Sequence, residues 1–229
     1  MLSEVLAEGH LWLRVADPAW ADPLDPVFEQ RSGQRWNPPD SFPALYLNED
    51  VVTARINLRL FLTGLPYGPE DLRDDAGPVL VGCALPRGQE VADVHAPAGV
   101  AAVGLPPSDP LGSDGSLVAH DVCQPIGRLA KDHGLRGVRC RSAQSPFGAG
   151  RELAWFTATV RSLAPLINRA TFNEWFWACP PAGPAASIGG SQQGKVVAIR
   201  PRGWVVARQP ADSLSGVTAS PDVPVTTGL

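Results

Sequence analysis

Residues 34–40, Gln-Arg-Trp-Asn-Pro-Pro-Asp, set the tightest limit on how this chain can fold. Pro38 and Pro39 each lock φ at about −65° and remove a backbone donor, so neither a helix interior nor a central strand can run through them. An arginine, a tryptophan and an asparagine are thereby held in a stiff, irregular loop. Residues 43–47, Pro-Ala-Leu-Tyr-Leu, follow as a short strand carrying Tyr46. A polar and aromatic loop backed by a strand suits recognition of a planar, anionic small molecule, because a guanidinium offers a bidentate fork and a stacking face.

Around this loop the pattern is mixed. Residues 10–15 read as a strand, and the Asp17-Pro18 and Asp22-Pro23 pairs as turns. The spacing predicts a helix over 48–62, with Asn48 as N-cap, Val52, Ile56 and Leu60 on one face and Gly64 closing it. Residues 77–85 and 90–94 read as strands, and 121–133 as a helix with Asp121 at its cap and Gly134 past its end. Two further strands over 137–142 and 152–160 flank a Ser-Pro-Phe-Gly-Ala-Gly loop. Thr171 and Glu174 have capping-box spacing at the head of a short helix bearing Trp175, Phe176 and Trp177. A Gly/Ser/Pro-rich loop over 180–194 leads to a last strand over 195–207. Short strands interspersed with a few helices predict an α+β fold. Residues 1–209 read as one domain, and 210–229, rich in Pro, Ser and Thr without periodicity, as a flexible tail.

Composition narrows the function classes. A net charge of −4 argues against a dominant surface for phosphate backbones. Cys83, Cys123, Cys140 and Cys179 are widely spaced, and no basic leader precedes a long apolar run, so the chain reads as cytoplasmic with free thiols. No segment approaches the ~18 consecutive apolar residues of a membrane span. His120, Cys123, His133 and Cys140 lack the paired spacing of a zinc site, and no metal is expected. A nucleophilic Cys123 would need an activating group that the sequence does not show.

Residues 34–39, the Leu45-Tyr46-Leu47 triplet, Thr53-Ala54, the run Asp121-Val122-Cys123-Gln124-Pro125-Ile126-Gly127 and residues 137–142 occur in an order that resembles RES-domain proteins. That family is known for bacterial toxins that destroy NAD⁺, paired with Xre-type antitoxins. The resemblance implies a core similar to ADP-ribosyltransferases, with split sheets. It also implies NAD⁺ as substrate, no cofactor beyond it, cleavage of the nicotinamide N-glycosidic bond with water or phosphate as acceptor, and an antitoxin partner. Oligomeric state stays open, a homo-oligomer included.

Residue by residue, the resemblance places Arg14 and Arg35 on phosphates, Tyr46 against the nicotinamide or ribose, and Ser142 toward a phosphate or the nicotinamide amide. The plain alternatives are surface ion pairs for the arginines, a strand tyrosine with its hydroxyl at the rim, and a turn-satisfying serine. Where the family carries a glutamate on the helix after the tyrosine, this chain has Asn57. Asparagine offers no negative charge to a developing cation, though it can hydrogen-bond a ribose hydroxyl. Asp121 stands where family members can have a serine. It either returns a carboxylate to the pocket or simply caps a helix. Two readings follow: an NAD⁺-cleaving enzyme, and a weakened relative that binds NAD⁺, a related nucleotide or a protein without turnover. Under the second, changing Asn57 to glutamate should raise NAD⁺ cleavage if the pocket is otherwise intact.

Overall fold

The computed structural model describes residues 1–145, 148–157 and 166–178. The sequence readings over 180–194, 195–207 and 210–229, the end of the strand expected over 152–160, and part of the loop before it lie outside the described residues. Eight strands make one sheet: Ser3–Val5 (β1), Leu11–Ala16 (β2), Ala44–Asn48 (β3), Val79–Ala84 (β4), Glu90–Val94 (β5), Gly137–Arg141 (β6), Arg151–Phe156 (β7) and Leu166–Ala170 (β8). Among the described residues five α-helices accompany them, Val27–Ser32 (α1), Val51–Leu62 (α2), Pro97–Ala102 (α3), His120–Asp132 (α4) and Phe172–Phe176 (α5), with one 3-10 turn over Pro69–Asp71. The class is α+β, as the mixed pattern predicts.

The strand order is β1-β5-β6-β7-β3-β2-β4-β8. Among the described strands only β5 and β6 run parallel, and a parallel pair needs a long crossover, here the segment carrying α3 and α4. Strands β2 and β4 pair from Leu11↔Ala84 to Ala16↔Val79, and β3 and β7 from Ala44↔Phe156 to Asn48↔Glu152. By contrast β2 and β3 meet at a single pair, Leu13↔Asn48. The sheet therefore opens at this point into two halves. On one face, alternate residues of both halves share a core: Leu45, Leu47, Leu153 and Trp155 with Trp12, Val79, Val81 and Cys83. On the other face α4 packs over β3, β5, β6 and β7 through Cys123 and Ala130, while Leu58 and Leu62 of α2 join Leu80 and the α5 aromatics.

Several local expectations change in three dimensions. Asp50, not Asn48, caps α2, accepting from the Thr53 N–H at 2.7 Å; Asn48 remains the last residue of β3. The buried face of α2 is Thr53, Ala54, Leu58 and Leu62, and Val52 and Leu60 are exposed. Ala54, Leu58 and Leu62 lie two residues, or about 200°, around the helix from Val52, Ile56 and Leu60, and packing against Leu80 and the α5 aromatics selects which face is buried. Helix α4 begins at His120 with no side-chain cap, and Asp121 lies in its exposed first turn, where its charge complements the helix dipole. Helices α1 and α3 span six residues each, too few to show a 3.6-residue period in the sequence. The Thr171 N–H donates to Glu174 at 2.8 Å at the start of α5, burying Trp175 and Phe176 and leaving Trp177 exposed. Among the described residues no helix is long and apolar enough to cross a membrane.

Candidate functional site

Polar side chains converge where the two half-sheets part. Asn48 spans the junction: its Nδ2 donates to the Leu13 carbonyl at 3.3 Å and its Oδ1 accepts from Asn57 Nδ2 at 2.7 Å. The second Nδ2 proton of Asn57 goes to Glu152 Oε1, also at 2.7 Å. Flipping the Asn57 amide would set its oxygen against that carboxylate and against Asn48 Oδ1, so the network selects one orientation. Ser142 Oγ lies 2.7 Å from Glu152 Oε1 and 3.1 Å from Asn57 Oδ1. A hydroxyl has one proton, and the charged, closer acceptor takes it. The lone pairs of Ser142 accept from the backbone N–H of Gln144 and Ser145, at 3.2 and 3.3 Å.

Glu152 reaches this cluster because β7 is paired in register with both neighbours, Asn48 on one side and Cys140 on the other. Its Oε1 accepts two hydrogen bonds, and none among the described residues reaches Oε2. The returning loop is pressed onto α2 at Gly150. A Cβ there would stand 2.4 Å from Ser145 Oγ and 2.8 Å from Thr53 Oγ1, which explains a small residue at this point.

Two residues back along β3, on the same face as Asn48, Tyr46 holds the proline-bounded loop. Its hydroxyl donates to Asn37 Oδ1 at 2.8 Å and accepts the Trp36 N–H at 2.9 Å. Burial pushes the phenol pKa well up, keeping the donor proton in place at neutral pH. Trp36 is fully buried, with its indole N–H 3.2 Å from Cys140 Sγ. Helix α4 locks the loop from outside: Gln124 Nε2 donates to the Gln34 carbonyl at 3.0 Å, and a Cβ on Gly127 would meet the Trp36 carbonyl oxygen at 1.8 Å. The Gln124-Pro125-Ile126-Gly127 run is thus the seat of the Arg35-Trp36 loop.

Both arginines singled out from the sequence are buried and paired. Arg14 Nη2 meets Glu29 Oε1 at 2.5 Å, and its guanidinium lies 5.4 Å from the Trp20 ring. Arg35 Nη2 meets Asp109 Oδ1 at 2.7 Å, Nη1 donates to the Arg141 carbonyl at 3.0 Å, and the guanidinium stacks over Trp36. Burial works against the Arg35 charge, while Cys140, Asp109 and Cys123 beside it act in the other direction and carry its pKa upward. Burial raises the carboxyls of Glu29 and Asp109 against the pull of their arginines. These are the costs of holding ion pairs out of water.

The structure brings Asn57 and Ser142 together and sets Tyr46 beside them. Asp121 stays on the exposed first turn of α4, and among the described residues no hydrogen bond or ion pair joins it to Asn57, Ser142 or Glu152. Sequence reasoning missed Glu152 and Asn48. Glu152 falls ten residues beyond Ser142 across a loop, and only the strand register makes the two neighbours. The buried thiols do not supply a nucleophile: burial raises Cys123, and pushes Cys140 up to about 12.

Beyond the cluster, a cavity of about 520 Å³ is lined by His95, Pro97, Arg141, Gly148 and Arg151. Arg141 and Arg151 pair directly across β6 and β7, one residue from Ser142 and Glu152 and on the opposite face. Among the described residues Glu4, Asp93 and His95 place ligand atoms within 4.8 Å of one another. Both Glu4 oxygens are already engaged, by His95 at 2.9 Å and Arg139 at 3.0 Å, which makes this an ion-pair network.

No protein-family profile and no curated protein sequence matches the chain. By structure it is similar to a chain in the crystal structure of the M. tuberculosis MbcT-MbcA toxin-antitoxin complex, with a TM-score of 0.60 and 21% identity over 77% of this chain and 92% of that one. The likeness establishes a shared fold.

Proposed function

We propose that this chain is an NAD⁺-cleaving enzyme of the RES toxin type, releasing nicotinamide and transferring the ADP-ribosyl group to water or phosphate. The observation that carries the reading is the hydrogen-bonded cluster of Asn57, Ser142 and Glu152 at the split in the sheet, beside the loop seated by Tyr46 and Arg35. Breaking the bond from ribose C1′ to the pyridinium nitrogen leaves an oxocarbenium-like sugar, which a positioned polar and anionic cluster stabilises. Arg14 and Arg35 already meet Glu29 and Asp109, so they act chiefly by fixing the walls of the site. An Xre-type antitoxin is the proposed protein partner, and similarity in fold to a chain of a toxin-antitoxin complex supports it.

Asparagine at position 57, in place of the glutamate that the resemblance calls for, favours a second reading in which NAD⁺ binds without turnover. One experiment separates them: purified protein is incubated with NAD⁺, with and without phosphate, and the products are resolved by chromatography. Nicotinamide release establishes cleavage, and dependence on phosphate names the acceptor. Intact NAD⁺ together with a raised Tm selects the second reading.

A further inference from the structure

We infer that Glu152 is the catalytic carboxylate of this site, with Asn57 and Ser142 as the residues that position it. The inference rests on the NAD⁺-cleaving reading. Asn57 spends both amide protons on acceptors, one of them Glu152 Oε1, so its polarity is directed toward holding a carboxylate. Ser142, fully buried and itself oriented by two backbone N–H groups, directs its only proton to the same oxygen. Three donated protons thus align along Asn48, Asn57 and Ser142, and the two that reach Glu152 end on a single atom. Oε2 is left without a hydrogen bond among the described residues, on a side chain that is itself only half-buried.

A buried network that anchors one oxygen and leaves the other free resembles a support shell more than a surface ion pair, since Glu152 has no cationic partner within salt-bridge distance among the described residues. The charge missing at position 57 is therefore present one hydrogen bond away, carried on β7 in place of α2. In the reaction the C1′–N bond breaks with its electron pair passing to the pyridinium nitrogen, which leaves as neutral nicotinamide. Glu152 Oε2 stabilises the cationic C1′, then accepts a proton from the water that bonds to C1′, and passes that proton to solvent. The balance is NAD⁺ and water giving ADP-ribose, nicotinamide and one proton.

The test is steady-state NAD⁺ cleavage by Glu152→Gln, which keeps the acceptor for Asn57 and Ser142 and removes the charge. The expected result is a fall in kcat of about 10²–10³ with KM for NAD⁺ within about threefold, because a preorganised charge acts on the transition state. Glu152→Ala supplies a readout that a structural role would not move: sodium azide should restore turnover and yield an ADP-ribosyl azide. A double variant, Glu152→Gln with Asn57→Glu, should regain at least about tenfold over Glu152→Gln alone. Should Glu152→Gln fail to fold, Glu152→Asp decides, with folded protein losing about tenfold or more in kcat. Wild-type protein that cleaves NAD⁺ while Glu152→Gln stays within about threefold of it overturns the inference and leaves the function standing. Wild-type protein that binds NAD⁺ and releases no nicotinamide overturns both.

Discussion

Asn57→Glu is the substitution on which sequence and structure disagree in sign. From sequence alone it restores a missing carboxylate and should raise activity. In the structure it places that carboxylate where Asn57 Nδ2 now donates to Glu152 Oε1 and Asn48 Oδ1, each at 2.7 Å. Two carboxylates about 3 Å apart at an effective dielectric near 20 repel by roughly 5–6 kcal/mol. The pair can escape by sharing a proton, as paired carboxylates do. At pH 7, holding a proton on a carboxyl whose ordinary pKa is about 4.3 costs about 4 kcal/mol, so this cheaper route sets the penalty. The folded state then binds a proton that the unfolded state has released, and stability is lost as pH rises above the ordinary carboxyl range. The loss should be near zero at about pH 4 and grow by about 1.4 kcal/mol per unit toward pH 7. Urea denaturation of wild type and variant between pH 4.5 and 7.5 reads both the size and the slope. The variant should also cleave NAD⁺ more slowly than wild type. A variant as stable as wild type at pH 7, or a pH-independent difference, refutes the geometry on which Glu152 is placed.

Two further substitutions probe the frame around the site. Gly127→Ala puts a methyl group 1.8 Å from the Trp36 carbonyl oxygen, so α4 must lift from the loop. The expected cost is about 3 kcal/mol or more, seen as a marked fall in Tm, and an unchanged Tm counts against the packing described. Tyr46→Phe strands Asn37 Oδ1 and the Trp36 N–H, and should lose about 1–3 kcal/mol in chemical denaturation. If stability is unchanged and only kcat falls, the hydroxyl serves chemistry and not the loop.

The sequence determined what is local. Pro38 and Pro39 confine residues 34–40 to a rigid loop through φ, and short mixed segments set the α+β class. The motif residues Gln124 and Gly127 were legible as a signature, though not as the seat of Trp36. Tertiary structure decided which charges are free. Arg35 and Asp109, 74 residues apart, neutralise each other, as do Arg14 and Glu29. It also decided where the carboxylate of the site lies. Side-chain direction alternates at every strand position, so the neighbours of Glu152 depend on a register set across β3, β6 and β7 together. A backbone preference is written in each residue and its neighbours; a register and an ion pair are properties of segments that meet only once the chain has folded.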